Sequence, residues 1–525
     1  MAGKRAVSRA AGLLMLLTVA SQLLGLVRDA VIAAVFGAAA ALDAYLVALG
    51  LMNLVFTLVA TAMARAVVPS LTRAFEADDS ARANRTVQVA LTSAAVVLVS
   101  GSVVMYAAVP VVVRVVAPGF DPGTAETAVL LTRVLLVATV VVATSDLLAA
   151  AAQADGRFFF SGLEGIGFNL VMIATTLLLG TRLGVPALAV GFVLGSVVRM
   201  LLQLPPLRSM GWRLRPRLRW TGTDFREVLH LLPALMVTSA VVNVNTLVDR
   251  AVGSAQGEGV ITALTFGWRV VTLANTVVVL TVAAAVFPAF SAATDPERRA
   301  ELRGLVDRAL RVVLSLLVPV TTVLVVAAGP IIGLAFGRGA FDQADVALTA
   351  VAVTGYALGA TVLGLRTIAS RASLALGDAR STLVTSVVIM VTNVAGDLTL
   401  GVRYGVIGLS VSTSASLALG AVVLLVQLSR RHRAVDLRSL GWTSLRLAVA
   451  ALLAGGTAAW LGLAERLGGA DPSTPWQLLG LLASAGVVAV VYLLVLWLLR
   501  SPELGDLTGV LAERLRRRRR PDATP

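Results

Sequence analysis

Long apolar segments recur along almost the whole chain and limit its possible folds more than any other feature. A helix needs about 20 consecutive apolar residues to cross a bilayer core of roughly 30 Å. We predict 14 such segments, at 13–36, 41–70, 86–113, 127–152, 159–180, 184–207, 228–252, 260–290, 309–335, 345–374, 382–400, 405–428, 442–463 and 476–499. The sequence therefore predicts an all-α protein that crosses the membrane many times.

The composition favours the same class of protein. The chain is 58% hydrophobic and 14% charged, whereas soluble domains carry about 25% charged residues. It has no cysteine and two histidines, His230 and His432, which excludes disulfides, thiol chemistry and a His/Cys metal cluster. No pair of carboxylates, nucleophile motif or phosphate-binding glycine loop stands out, so we expect no enzyme and no bound cofactor.

The arginines and lysines predict the orientation, because positive residues accumulate in cytoplasmic loops. They concentrate in every second loop, while the alternate loops hold one each, at Arg182, Arg338, Arg403 and Arg466. This alternation predicts a bacterial inner-membrane protein with both termini on the cytoplasmic side. The arginines at 516–520 are then expected to lie against anionic lipid rather than nucleic acid.

The sequence contains an internal repeat. GTRLGV at 180–185 recurs as GVRYGV at 401–406, and VPSLT at 68–72 is echoed by FPAFS at 287–291. Both units start on the same side of the membrane, an arrangement typical of transporters that work by alternating access. We predict an N-lobe at 1–208, a basic linker at 209–227, a C-lobe at 228–428, two added helices at 429–499 and a basic tail at 500–525.

Ionisable residues inside the predicted spans are candidate substrate contacts, because charges in the membrane are costly and usually face a cavity. They concentrate in the first two spans of each repeat. Arginine pairs bidentately with phosphate and stays charged, so it suits a pyrophosphate crossing the bilayer. The candidate substrate-binding residues are Arg28, Asp29, Asp43, Arg65, Arg250 and Arg269.

Each of these residues also has a simpler interpretation. Arg28 could only neutralise a neighbouring acid, and Asp43 could only stabilise the start of the second span. Arg65 could extend to the cytoplasmic interface, and Arg250 could form an interfacial pair with Asp249. Arg269 is less easily explained in this way, since it lies about 13 Å from the start of its helix.

Several motifs resemble the MurJ/MviN family of lipid II flippases. They are SQLLGLVRDA at 21–30, Phe36-Gly37, DAY at 43–45, Asn53, Val68-Pro69 and FGRGAF at 336–341. The resemblance implies the fold of the multidrug/oligosaccharidyl-lipid/polysaccharide exporter superfamily, with a V-shaped cavity. It implies translocation of the undecaprenyl-pyrophosphate-linked peptidoglycan precursor, lipid II, and hence a role in cell wall biogenesis and cell shape.

The resemblance places Arg28, Asp43 and Arg269 at family positions associated with a cationic cavity, and Asp29 completes the Arg-Asp pair. The chain departs from the family pattern at Gln22, at Phe56 and at Trp268. The cavity implied here is therefore less charged than the pattern, which leaves a second lipid-linked saccharide open as the substrate.

Two further functions remain open at this stage. A drug/cation antiporter of the same superfamily would need acids to dominate the cavity, and a membrane scaffold in envelope assembly would need no cavity chemistry. Coupling to the membrane potential, to Na+ or to H+ is equally compatible with the sequence. The expected partners are the lipid-linked substrate, membrane lipids and cell-wall synthesis proteins, with no nucleic acid.

Overall fold

The computed structural model describes most of the chain. The ranges are 2–56, 71–74, 77, 79–212, 215–217, 243–292, 299–463, 466, 474–502 and 505. Within them the backbone is largely helical and contains no strand. Predicted residues outside these ranges include Arg65, most of the linker at 209–227 and most of the tail at 500–525.

Within the described residues, fifteen helices have defined limits. They are α1 Ala2–Phe36, α2 Ala40–Phe56, α3 Ser80–Val116, α4 Pro122–Ala154, α5 Phe159–Leu183, α6 Pro186–Leu201, α7 Leu204–Ser209, α8 Val260–Ala292, α9 Arg299–Val326, α10 Ala328–Phe336, α11 Gln343–Ala375, α12 Ala379–Gly396, α13 Val402–His432, α14 Leu437–Leu461 and α15 Thr474–Leu498. Residues 243–254 are also helical, and a π-helical turn at Asp397–Gly401 joins α12 to α13.

The all-α, multi-pass membrane architecture predicted from the apolar segments is confirmed. In the described ranges, 11 helices are long and apolar enough to cross a bilayer, and α2 is a shorter apolar helix. One of the 11, Ala379–His432, contains two predicted spans. The count of 14 stays a prediction, because much of the predicted seventh span at 228–252 lies outside the described residues.

The chain forms two compact units. Unit 1 comprises Met1–Thr262 with Phe336–Asp345, and unit 2 comprises Ala263–Ala335 with Val346–Pro525. The predicted division into lobes at 1–208 and 228–428 stays a prediction, since most of the segment between them is outside the described residues.

Two glycines at equivalent positions of the predicted repeat share an unusual backbone conformation. Gly184, between α5 and α6, has φ 66° and ψ −151°, and Gly405, near the start of α13, has φ 64° and ψ −137°. This region of backbone space is open essentially to glycine alone. The sequence echo between 180–185 and 401–406 thus corresponds to the same sharp chain reversal in both copies.

The two helices that follow the predicted repeats, α14 and α15, pack into unit 2. Leu447 of α14 and Leu496 of α15 are fully buried in one apolar cluster with Leu314 and Leu317 of α9. The hydroxyl of Tyr492 on α15 donates to the carbonyl of Ser315 at 3.2 Å. These helices are therefore part of the unit 2 core rather than a loosely attached segment.

Unit 1 is tightly packed at the corner between α1 and α2. The amide of Ala340 donates to the carbonyl of Ala34 at 2.8 Å, and the amide of Ala38 donates to the carboxylate of Asp345 at 3.0 Å. Gly37 and Gly339 both have positive φ at this contact. A Cβ at Gly37 would lie 2.6 Å from the Ala340 carbonyl oxygen, so the backbones touch directly.

Alanine at Gly339 is expected to destabilise unit 1 more than alanine at Gly156. Both glycines have positive φ, which costs an alanine about 1–2 kcal/mol at either position. A Cβ at Gly339 would also overlap the Ala34 carbonyl, whereas a Cβ at Gly156 meets nothing within 4 Å. Overpacking adds about 1–3 kcal/mol to this cost. In thermal unfolding of the purified variants, Gly339→Ala should therefore have a lower melting temperature than Gly156→Ala. Equal melting temperatures would contradict the packing at this corner.

Aspartates cap several helix starts outside the apolar spans. Asp378 precedes α12 and accepts from the Ser381 amide at 3.0 Å and the Ser381 hydroxyl at 2.6 Å. It also contacts His432 Nε2 at 2.9 Å, at the end of α13. The Ser381 hydroxyl, followed by the His432 ring, holds the pKa of Asp378 down at about 2. The carboxylate therefore stays ionised and links the start of α12 to the end of α13.

Candidate functional site

Arg28 and Asp29 form a partly buried ion pair on α1. Nε and Nη2 of Arg28 donate to Oδ1 of Asp29 at 2.9 and 2.6 Å, and Nη1 donates to the side-chain oxygen of Asn169 on α5 at 3.0 Å. Asn169 in turn donates to the carbonyl of Ser21 at 3.1 Å. This network fixes the guanidinium against two helices of unit 1.

The pair is not completely enclosed by the protein. The Arg28 side chain is 20% exposed and the Asp29 side chain 10%, and the guanidinium lies 5.9 Å from the ring of Phe168. A guanidinium has five N–H donors in a planar fork, and the three contacts above do not use all of them. The guanidinium therefore keeps N–H donors beyond those that hold it to Asp29 and Asn169.

Asp43 lies in the first turn of α2, and its side chain also has partners on another helix. Its carboxylate accepts from the Gly259 amide at 2.8 Å, from the Thr262 amide at 2.8 Å and from the Thr262 hydroxyl at 2.6 Å. Asp43 is 1% exposed. These donors include two of the otherwise unpaired amides at the start of α8, so Asp43 caps that helix from α2.

Arg250, on helical residues 243–254, packs against the backbone of α2. A Cβ at Gly50 would overlap Nη1 of Arg250, so the guanidinium occupies the space that only glycine leaves open. Nη1 is buried and has no hydrogen-bond partner among the residues that the structure describes. An unpaired buried donor of this kind is costly.

Alanine at Gly50 is expected to displace Arg250 and to lower the free energy of unfolding by about 1–3 kcal/mol, the usual cost of overpacking. The matched control is Gly101→Ala on α3, where the nearest atom to a new Cβ would be Cγ1 of Val55 at 3.8 Å. Thermal unfolding of the two variants in the same detergent measures the difference. A Gly50→Ala protein as stable as Gly101→Ala would contradict the close approach of Arg250.

Arg269 lies in unit 2 on α8, half-buried. Its neighbour Trp268 packs edge-on against Tyr356 of α11, with ring centroids 5.1 Å apart. Trp268, where the sequence departs from the family pattern, thus has an aromatic partner.

The structure brings only some of the candidate residues together. Arg28 and Asp29 contact each other, whereas Asp43 binds the start of α8 and Arg250 meets α2 seven residues further along, at Gly50. Arg269 belongs to the other unit, and Arg65 lies outside the described residues. The substrate-binding role of all six stays a prediction.

A charged cluster within unit 1 was not predicted from the sequence. Nη2 of Arg199 on α6 contacts Asp146 of α4 at 2.5 Å and Glu164 of α5 at 3.0 Å, and Gln203 donates to Glu164 at 3.3 Å. Glu164 lies 35 positions and Asp146 lies 53 positions before Arg199, so no short sequence spacing links the three residues. Their position inside apolar spans was the one signal available.

Unit 2 holds a second buried polar group. Nδ2 of Asn393 donates to Asp397 at 2.9 Å and contacts Ser412 Oγ at 3.3 Å, and all three residues are at most 2% exposed. Asp397 begins the π-helical turn between α12 and α13. In the described part of the chain, no group of three or more His, Asp or Glu side chains is placed to hold a metal ion.

Comparison with known proteins decides the family. The family model described as lipid II flippase MurJ matches residues 32–466.

The chain belongs to the lipid II flippase MurJ family.

Among its relatives is a probable lipid II flippase MurJ from Vibrio cholerae, 27% identical over 456 residues, covering 85% of this chain and 87% of the relative. The lipid II flippase MurJ of Burkholderia cenocepacia is 26% identical over 496 residues, covering 92% and 95%. The MurJ resemblance predicted from the sequence motifs is thereby confirmed.

Solved structures show the same fold. A lipid II flippase MurJ in an inward closed conformation matches with a TM-score of 0.77 at 21% identity, covering 92% of this chain and 97% of the other. An inward-facing MATE multidrug transporter of the MOP superfamily matches with a TM-score of 0.69 at 16% identity, covering 79% and 95%. The residues matched by the MurJ family model begin after Arg28 and Asp29 but include Asp43, Arg250 and Arg269.

Proposed function

We propose that this MurJ family member translocates lipid II from the inner to the outer leaflet of the bacterial inner membrane. The match of the MurJ family model to residues 32–466 carries this proposal. The reaction is transport, with no covalent bond made or broken. The mechanism we propose is alternating access, as the two repeats of the sequence predict.

The contribution of the arginines follows from the charge of the substrate. A pyrophosphate in the bilayer core is strongly disfavoured unless cationic donors replace its water. In the proposal, Arg28 and Arg250 of unit 1 and Arg269 of unit 2 donate to phosphate oxygens at different stages of transport. The buried, incompletely paired Nη1 of Arg250 supports this role, as does the oriented guanidinium of Arg28.

The decisive experiment is rescue of a bacterium depleted of its own lipid II flippase. Lipid II in the outer leaflet is scored by its cleavage with an added enzyme that does not cross the membrane. The intact protein should restore cleavage. Arg182→Ala, which changes an exposed arginine at the end of α5, should restore it equally and so serves as the control for the arginine variants.

Failure of the intact protein to restore cleavage, with the protein verified in the membrane by immunoblot, would overturn lipid II as the substrate. The second candidate is then another lipid-linked saccharide. The contact of Trp268 with Tyr356 supports it, because it places an aromatic pair rather than a further charge next to Arg269 in the sequence. Assaying the same cells with other polyprenyl-pyrophosphate saccharides would distinguish the two substrates.

The energy source, orientation and protein partners are further parts of the proposal. We propose that both termini lie in the cytoplasm and that transport is driven by the membrane potential, by Na+ or by H+. Moving one charge across the membrane provides about 2.3 kcal/mol per 100 mV. Collapse of each gradient in turn, in the rescue assay, identifies the driving force. The proposed protein partners are cell-wall synthesis proteins that supply or use lipid II.

A further inference from the structure

Helix α4 carries an arginine on an otherwise apolar, exposed face. Arg133 lies three residues after Leu130 and four residues before Val137, so the three side chains share one face of the helix. Leu130 is 54% exposed and Val137 is 63% exposed. In a membrane protein, exposed side chains of this kind contact lipid. Arg133 therefore belongs to the lipid-facing surface of unit 1.

The neighbouring helix gives Arg133 an aromatic partner. The guanidinium carbon lies 4.7 Å from the centre of the Tyr106 ring on α3, a cation–π contact. Tyr106 is 51% exposed, and Val103, one turn before it, is 63% exposed. The ring therefore packs against the guanidinium, and Arg133 itself is partly exposed.

Arg133 has no acidic partner among the described residues. Its Nε is buried without a hydrogen bond. Unlike Arg28 and Arg199, Arg133 forms no ion pair with any described residue. An uncompensated charge on a lipid-facing surface is disfavoured. Within the described part of the chain no acid balances this charge, so an anion from the surrounding membrane is a suitable partner.

The depth of Arg133 places that charge at the membrane surface. Helix α4 has 33 residues, about 50 Å at 1.5 Å per residue, against a bilayer core of roughly 30 Å. With equal extension at both ends, Arg133 lies about 6 Å inside the core on the side of Pro122. Side chains on a helix lean toward its N-terminus, so the guanidinium reaches the headgroup layer on that side.

We propose that Arg133 and Tyr106 bind the headgroup of an anionic phospholipid. The phosphate accepts hydrogen bonds from the guanidinium, and an acyl chain lies along Val103, Leu130 and Val137. The predicted orientation assigns this lipid to the outer leaflet. The site is separate from lipid II transport, because it lies on the exposed surface of α3 and α4 and uses none of the six candidate substrate residues.

Lipid binding to the full-length protein in detergent tests this assignment. Delipidated protein is titrated with phosphatidylglycerol and the bound lipid is counted by native mass spectrometry. We expect Arg133→Gln to bind about fivefold more weakly, the loss for one basic residue near a membrane surface. Tyr106→Leu should bind about threefold more weakly, since the charge remains but the cation–π contact is lost.

The control variant is Arg182→Gln, an exposed arginine on the same predicted side of the membrane, which should bind as the unmodified protein does. Phosphatidylcholine, whose headgroup has no net charge, should bind more weakly and equally to all variants. Circular dichroism confirms that each variant is folded. Arg133→Gln and Tyr106→Leu both binding phosphatidylglycerol at full strength would overturn the proposal. Inorganic phosphate displacing the lipid at equal concentration would overturn it too, because the site would then select the free anion.

Discussion

Replacing Arg28 with alanine is expected to abolish lipid II translocation and to lower the free energy of unfolding by about 3–5 kcal/mol. The stability loss follows from Asp29, which is 7% exposed and would lose its ion pair with Arg28. The transport loss follows from the proposed phosphate contact. Thermal unfolding and the rescue assay measure the two effects on the same variant.

A double variant separates these two effects. Arg28→Met with Asp29→Asn removes both charges at similar volume, and such replacements of buried pairs are often neutral for stability. We expect the double variant to melt close to the unmodified protein and still to fail in translocation. If it transported lipid II normally, the pair would serve the fold alone and the phosphate role of Arg28 would be wrong.

Replacing Asp43 with alanine should have a comparable effect on stability, about 3 kcal/mol or more. Three donors, two from Thr262 and one from Gly259, would lose a buried acceptor, and each unpaired buried group costs about 1–3 kcal/mol. Loss of a helix cap has the same sign. Thermal unfolding of the purified variant measures the change.

Thr262→Val provides the matched control for Asp43. It removes the hydroxyl donor but leaves both amide donors and the carboxylate, so it should cost only about 1 kcal/mol. Asp43→Asn should fall between the two, because its oxygen can still accept. An Asp43→Ala protein as stable as Thr262→Val would show that the carboxylate does not hold the start of α8.

The fold was largely predictable because membrane helices can be recognised in a sequence by their length and apolarity. The paired charges of Arg28 and Asp29 were visible too, since the two residues are adjacent in sequence. The glycine echo between 180–185 and 401–406 also had a direct backbone counterpart. These features depend on local sequence, which a single chain displays.

The partners of the other charges depend on tertiary packing and could not be predicted. Asp43 finds its donors 216 and 219 positions away, and Arg250 finds its place against a glycine of α2. Arg133 went unnoticed within a run of leucine and valine, because its significance depends on which face of α4 is exposed. A sequence shows that a charge is in the membrane but not which helix faces it.

The reversals at Gly184 and Gly405 also bear on how the protein moves. Gly184 lies between α5 and α6, and Gly405 lies near the start of α13, just after the π-helical turn that follows α12. Each glycine occupies a narrow region of backbone space, and almost no other chain separates the helical segments on either side. Helices α5 and α6, and likewise α12 and the part of α13 after Gly405, should therefore travel as fixed hairpins during a transport cycle. Spin labels placed within either hairpin should keep one distance while labels elsewhere report the motion.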